Sequence, residues 1–217
     1  MGPTSQDLFT IALLYFTSFF SLINPLGSMP VFLTMTANLN KKERARTAIK
    51  AVITAFVTLM LFAFGGQMLF TFFGISVDSF RVVGGIIFFM MGYDMLNAKL
   101  SSMKNMSQGQ VKEYVDDISV TPLGIPMIAG PGAITNSIVL MQDSETFTLK
   151  LILVATVLIT MALTLIIYIG GSTITKFLGE TGNKIMLKLM GLIVMVIAVE
   201  FFFAGLTPII RNILGIA

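Results

Sequence analysis

Two Pro/Gly-rich stretches hold the residues best suited to chemistry in this chain. The first reads Asn24-Pro25-Leu26-Gly27-Ser28-Met29-Pro30, and the second runs TPLGIPMIAGPGA from Thr121 to Ala133. Both are embedded in apolar sequence. Proline lacks an N–H and clashes with the preceding turn, so an unbroken helix is not expected through Asn24–Pro30, nor through Pro122, Pro126 and Pro131. Gly124, Gly130 and Gly132 let a backbone or a ligand approach closely. A broken helix frees the N–H groups that open its second half, and with the helix dipole these favour an anion. It also frees the carbonyls that end its first half, which suit an ammonium group or Na⁺. Together these groups match a zwitterionic amino acid. Asn24, Ser28, Thr121, Thr135 and Asn136 add polar side chains around the breaks. The small residues between them leave room for a small ligand. A lone proline would read as a kink; two multi-proline breaks at corresponding positions read as a binding site.

Two acids interrupt other apolar runs: Asp94 in FFMMGYDML and Glu200 in VIAVEFFFAG. Ionisable groups within spans mark ion or proton paths by default, which makes both candidates for coupling Na⁺ or H⁺. Both fall toward the ends of their apolar runs, so a helix-end placement with solvent access is the equal alternative. Asp78 and Arg81 read as interface anchors, and Lys184 and Lys188 as residues that snorkel to the surface. The chain has no cysteine and no histidine, which removes disulfides, thiolates, the commonest metal ligand and the usual general base. There is no phosphate-cradling glycine loop, metal cluster or nucleophile triad. Tyr93-Asp94 matches one half of an intramembrane aspartyl protease pair, but the other half, Gly-x-Gly-Asp, is missing. The expectation is a protein that is not an enzyme and holds no metal and no cofactor beyond a coupling ion.

The elements that must carry these residues are membrane spans. Of 217 residues, 55% are hydrophobic and 12% charged, about half the charge of a soluble domain. Apolar runs near 20 residues, enough for a core roughly 30 Å thick, recur along the chain. Six are expected: about 8–37 (broken), 47–73, 80–97, 121–141 (broken), 149–177 and 185–207. In hydrocarbon every backbone polar group needs a partner, so broken helices survive only where protein or water supplies one. The whole chain, 1–217, reads as one transmembrane domain of a multi-pass cell-membrane protein, with lipids as its surroundings and no nucleic-acid partner. No signal peptide is evident at 1–7. Eleven of the 14 basic residues fall in the loops 38–50, 98–120 and 176–188, against Arg81, Lys150 and Arg211 opposite. By the positive-inside rule those three loops are cytoplasmic and both termini extracellular.

An offset of 106 residues aligns the rare features of the two halves. Pro25 meets Pro131, Gly65 meets Gly171, Gly85 meets Gly191, Asp94 meets Glu200, and Thr54 and Thr58 meet Thr160 and Thr164. Overall identity at this offset is low, so the argument rests on the Pro, Gly and acid matches. The expected fold is an all-α membrane protein of six helices in two inverted three-helix repeats, the first and fourth helices broken. Repeat one covers about 8–97, a cytoplasmic linker about 98–113, and repeat two about 114–203. Inverted repeats with broken helices are a recurring transporter plan, with substrate at the midplane.

The motifs N-P-L-G-S-M-P-V-F at 24–32 and P-L-G-I-P-M-I-A-G-P-G-A-I at 122–134 resemble those of the MarC family of integral membrane proteins. The resemblance covers nearly the whole chain. It implies cation-coupled transport of small neutral amino acids such as glycine and alanine. It also implies substrate-lining roles for Asn24, Pro25, Gly27, Ser28 and Pro30, with Gly130, Pro131, Gly132 and Ala133. Two other readings stand beside it: an ion or water channel with re-entrant pore segments, and a small-solute exporter.

Overall fold

Asn24 alone separates the first two helices. It adopts the left-handed conformation (φ 46°, ψ 63°), which asparagine tolerates better than most residues. Pro25 follows at the first helical position, where its missing N–H costs nothing. The computed structural model describes residues 5–37, 39–74, 76–97 and 108–215, and every element among them is helical. Helix α1 is Ser5–Ile23 and α2 is Pro25–Met35. The first break is therefore narrower than the prolines suggest, because Pro30 lies inside α2 and is buried there. Membrane helices accept an interior proline when neighbouring groups satisfy the freed carbonyl.

Helix α3 (Lys41–Phe73) opens on a capping box, with Asn40 Oδ1 accepting from Glu43 N–H and Glu43 Oε2 from Asn40 N–H. The basic cluster expected in a loop at 38–50 thus rides the first turns of α3. Helix α4 (Val77–Leu96) is capped by Ser76. Part of the expected linker, 98–107, lies outside the described residues, and from Gln108 onward the chain is helical as α5 (Gln108–Ile118). The second break spans Ser119–Ile128, with extended backbone at Thr121 and Ile125 and cis bonds before Pro122 and Pro126. Helix α6 (Pro131–Asp143) follows at 62° to the segment before the break. Helices α7 (Phe147–Gly170) and α8 (Ser172–Leu214) complete the fold. The loop expected at 176–188 is instead part of α8. No proline intervenes between Gly171 and Pro208, and Lys, Leu, Met and Glu there are good helix formers. Polarity marked that segment as wet, not as unstructured.

Among the described residues, five helices are long and apolar enough to cross a membrane: Gln6–Met35, Lys41–Phe73, Asp78–Leu96, Phe147–Gly170 and Gly191–Leu214. The bent pair Lys112–Ile128 and Pro131–Asp143 meets the same test as one broken unit. Large apolar side chains such as Leu61, Phe64, Phe72, Leu151, Ile166 and Val196 are exposed, as hydrocarbon surroundings allow. The chain is a multi-pass integral membrane protein.

The two halves interlock. Helix α2 packs against α7 and α8, whereas α6 packs against α3 and α4. Helix α1 lies on α7, and the segment Ser119–Ile128 lies on α3. Each broken helix is thus held mainly by the long helices of the other half. The closest pairing joins α4 and α8, whose glycines let backbones touch. A Cβ on Gly85 would stand 2.8 Å from both Ala198 O and Phe202 N. A Cβ on Gly191 would stand 2.8 Å from Gly92 O and 2.9 Å from Leu96 N. Adding 106 to Gly85 gives Gly191, and adding it to Gly92 and Leu96 gives Ala198 and Phe202. The two contacts thus share the 106-residue spacing.

Candidate functional site

A cavity of about 70 Å³ opens where the first break faces α4, α8 and the second break. Its polar edge is Asn24, Gly27 and Ser28; its apolar walls include Phe88, Met127, Ile197 and Phe201. No lining residue carries a charge. A single water needs about 10–15 Å³ of such space, so the cavity has room for a small solute.

The polar edge is built locally. Asn24 Oδ1 accepts the Gly27 N–H at 3.1 Å, which caps α2. Gly27 packs directly on the Asn24 side chain, leaving no space for a Cβ. Because Pro25 has no N–H and the Gly27 N–H turns to Asn24, the carbonyls of Ser21 and Ile23 lose their usual helical partners. Ser28 is buried, and its hydroxyl donates to Asn24 O at 3.1 Å or Pro25 O at 3.3 Å. Tyr168, fully buried on α7, donates to Ser28 Oγ at 2.8 Å and stands 3.8 Å from Met127 Sδ. Its ring stacks on Phe32, with centroids 4.5 Å apart.

The second break stands behind the apolar wall. A Cβ on Gly132 would meet the Phe201 ring at 2.6 Å and Leu22 at 3.1 Å, and one on Gly130 would meet Phe88 at 3.0 Å. Pro131 fills the space beside Gly84. Gly130, Pro131, Gly132 and Ala133 are all buried. The N-cap of α6 is Gly130, which has no side chain to cap the first N–H groups. Nearby, Thr135 Oγ1 and Asn136 Nδ2 are buried without a hydrogen-bond partner, although Asn136 Oδ1 accepts from Ser18 at 3.0 Å. Buried polar atoms left open beside a helix N-terminus suit the acceptor oxygens of a ligand.

Of the candidate residues, Asn24, Gly27 and Ser28 line the cavity. Pro25 and Pro30 are buried in α2 beside it, and 130–133 back its wall. Thr121 is exposed and does not line it. Asp94 is half-buried near the end of α4. Glu200 is not at a helix end, as its apolar run suggested: α8 continues to Leu214, and the carboxyl lies about midway between Lys188 and Arg211. The register of α4 against α8 sets Glu200 level with Gly85, nine residues from Asp94, or roughly 14 Å at 1.5 Å per residue. One ion does not bridge the two acids.

Sequence reasoning missed Tyr168, Met127, Phe88, Phe201 and Ser18. Only Tyr168 left a signal, as the one tyrosine in the apolar run 149–177. The structure also has two tyrosine contacts at the outer ends of the broken helices. Tyr15 of α1 stands 3.0 Å from Ser144 Oγ at the end of α6, and Tyr114 of α5 donates to Met35 O at the end of α2 at 2.9 Å. Lys50 pairs with Asp116 on the same side as Tyr114.

A family model described as MarC family integral membrane protein matches residues 9–210. A UPF0056 membrane protein of Methanocaldococcus jannaschii is 34% identical over 194 residues, 89% of this chain and 95% of its own. One from Pyrococcus horikoshii is 38% identical over 197 residues, 91% of this chain and 94% of its own. The UPF0056 membrane protein YvbG of Bacillus subtilis is 36% identical over 201 residues, covering 92% and 95%. No solved structure matches the chain.

Proposed function

The chain belongs to the MarC family of integral membrane proteins, and on that premise we propose that it is a secondary transporter of small neutral amino acids. The observation that carries this reading is the small uncharged cavity at Asn24–Ser28, with Met127 of the second break in its wall. The uncapped start of α6, with Thr135 Oγ1 and Asn136 Nδ2 open beside it, lies behind the Phe88–Phe201 wall and would meet the substrate carboxylate once that wall moves. The carbonyls freed at the end of α1 suit its ammonium group. A cation gradient, H⁺ or Na⁺, drives the movement, and no covalent chemistry is required.

In this reading the fold is six spans in two inverted three-helix repeats. The reciprocal contacts Gly85 to Ala198 and Gly191 to Gly92 support it, since a two-fold relation in the membrane plane generates each from the other. The interlocked packing of α2 and α6 supports it too, because rocking one half moves both walls of the cavity. The basic turns of α3 face the cytoplasm and both termini face outward in the cell membrane.

The test is counterflow of labelled glycine and alanine in proteoliposomes. Saturable exchange is expected for both, with little for phenylalanine or lysine. Gly132→Val, whose side chain collides with Phe201 and Leu22, is expected to abolish exchange while the protein still purifies as a folded species. No exchange of any amino acid by the wild type would remove this reading, and wild-type rates in Gly132→Val would remove the proposed site.

A further inference from the structure

Glu200 stands in the middle of an apolar stretch of α8. The flanking cations, Lys188 and Arg211, lie roughly 18 Å and 17 Å away along the helix at 1.5 Å per residue. Hydrocarbon extends about 15 Å either side of the bilayer centre, so the carboxyl lies deep within it. Its residue is exposed, and it makes no hydrogen bond or ion pair among the described residues. Val196, Val199 and Phe203 around it are exposed as well.

Its place relative to the cavity is specific. Ile193, Ile197 and Glu200 follow at i, i+4 and i+7 and share one face of α8. Ile193, Val194, Ile197 and Phe201 line the cavity. Glu200 is not itself a lining residue; it follows Ile197 on that face, about one turn further along α8.

We propose that Glu200 is the proton-binding group that couples this transporter to an H⁺ gradient. The proposal rests on the transporter reading above and selects both the ion and the residue. A hard metal cation needs a shell of several oxygen ligands. Within one turn of Glu200, the side chains of Val196, Ile197, Val199, Phe201, Phe203 and Ala204 supply none. A proton needs one oxygen only. A carboxylate oxygen takes H⁺ from water when the cavity opens to one side, and the neutral acid is the form that tolerates the apolar surroundings. When the cavity opens to the other side, the same oxygen releases H⁺ to water.

Among the described residues, no other charge lies at that level. On α4, Asp78 and Arg81 pair with each other beside Gly205, and Asp94 is nine residues further along the register. Helix α2 has no ionisable residue, Asp143 ends α6 far from Pro131, and α7 offers Lys150 at one end and Tyr168, which is bonded to Ser28. On α8 itself the nearest described charges are Lys188 and Arg211.

Wild type and Glu200→Gln, reconstituted in the same vesicles, distinguish the outcomes by two readouts. The first compares glycine counterflow with accumulation driven by an imposed pH or Na⁺ gradient. Glu200→Gln is expected to keep counterflow, which shows it folded, and to lose accumulation on the pH gradient. The second treats the protein with dicyclohexylcarbodiimide, which reacts with protonated carboxyls in apolar surroundings, and maps the adduct by peptide mass spectrometry. Glu200 is expected to be modified, faster as pH falls, with no protection by Na⁺. The proposal is overturned if Glu200→Gln still accumulates glycine on a pH gradient. It is equally overturned if Na⁺ alone drives the wild type, or if Glu200 stays unmodified at every pH. Absence of wild-type counterflow would remove the transporter reading, and the coupling role with it, whatever the adduct map shows.

Discussion

The Tyr168 hydroxyl lies 2.8 Å from Ser28 Oγ and 3.8 Å from Met127 Sδ, so one side chain from α7 touches both breaks. The two segments are 99 residues apart in sequence, counted from Ser28 to Met127. A phenol can join them because its ring is fixed by stacking on Phe32 while its hydroxyl reaches the polar edge of the cavity.

Tyr168→Phe removes that hydrogen bond and keeps the ring. A loss of about 1 kcal/mol in stability is expected, the net worth of one buried hydrogen bond. The freed Ser28 hydroxyl is expected to raise the KM for glycine more than it lowers the maximal rate. Tyr168→Ala also leaves a void and is expected to cost about 3–5 kcal/mol. Thermal unfolding in detergent and concentration-dependent uptake measure both.

Asn24 combines a left-handed backbone with a cap on Gly27. Asn24→Ala loses the cap, about 1 kcal/mol, and adds strain of about 1 kcal/mol for a residue with no local side-chain bond. Asn24→Gly relieves the strain and is expected to lose less stability than Asn24→Ala. Equal stability of the two variants would show that the conformation contributes nothing.

The glycines separate into close contacts and open positions. Gly92→Val and Gly191→Val force a side chain against a backbone carbonyl, and each is expected to destabilise by about 1–3 kcal/mol or more. Gly65 lies inside α3 with nothing within 4 Å of a Cβ, so Gly65→Ala is expected to stabilise by about 0.5–1 kcal/mol through helix propensity. Denaturation midpoints of the three variants measure the contrast.

The lack of cysteine makes orientation directly measurable. Single cysteines at Lys42, in the first turn of α3, and at Glu145, between α6 and α7, are both exposed. In intact cells an impermeant maleimide is expected to label Glu145→Cys only, and Lys42→Cys only after the membrane is opened. The reverse pattern would invert the topology.

Much of the fold was legible because its signals are local. Apolar length set the spans, and prolines at 25, 30, 122, 126 and 131 marked where helices are disturbed. The extent of each disturbance was not local. Pro30 lies inside α2, whereas Pro122 and Pro126 fall in a segment with extended backbone at Thr121 and Ile125. Polarity at 176–188 suggested a loop, yet helix propensity carries α8 through it. The polar edge of the cavity was legible on its first-break side, where Asn24, Gly27 and Ser28 fall within about one turn of each other.

Local patterns were enough to read the membrane spans and the prolines that disturb the helices, and they suggested a 106-residue offset between the halves. These follow from hydrophobic length, proline stereochemistry and the spacing of rare residues, all properties of neighbours along the chain. Which surfaces meet is settled by the packing. The tertiary structure packed α2 and α6 onto the helices of the opposite halves, brought Tyr168 to both breaks, and set Glu200 roughly 14 Å from Asp94 along the helix pair. Such contacts join residues far apart in sequence, and they depend on how side chains fill space between helices, which no local pattern encodes.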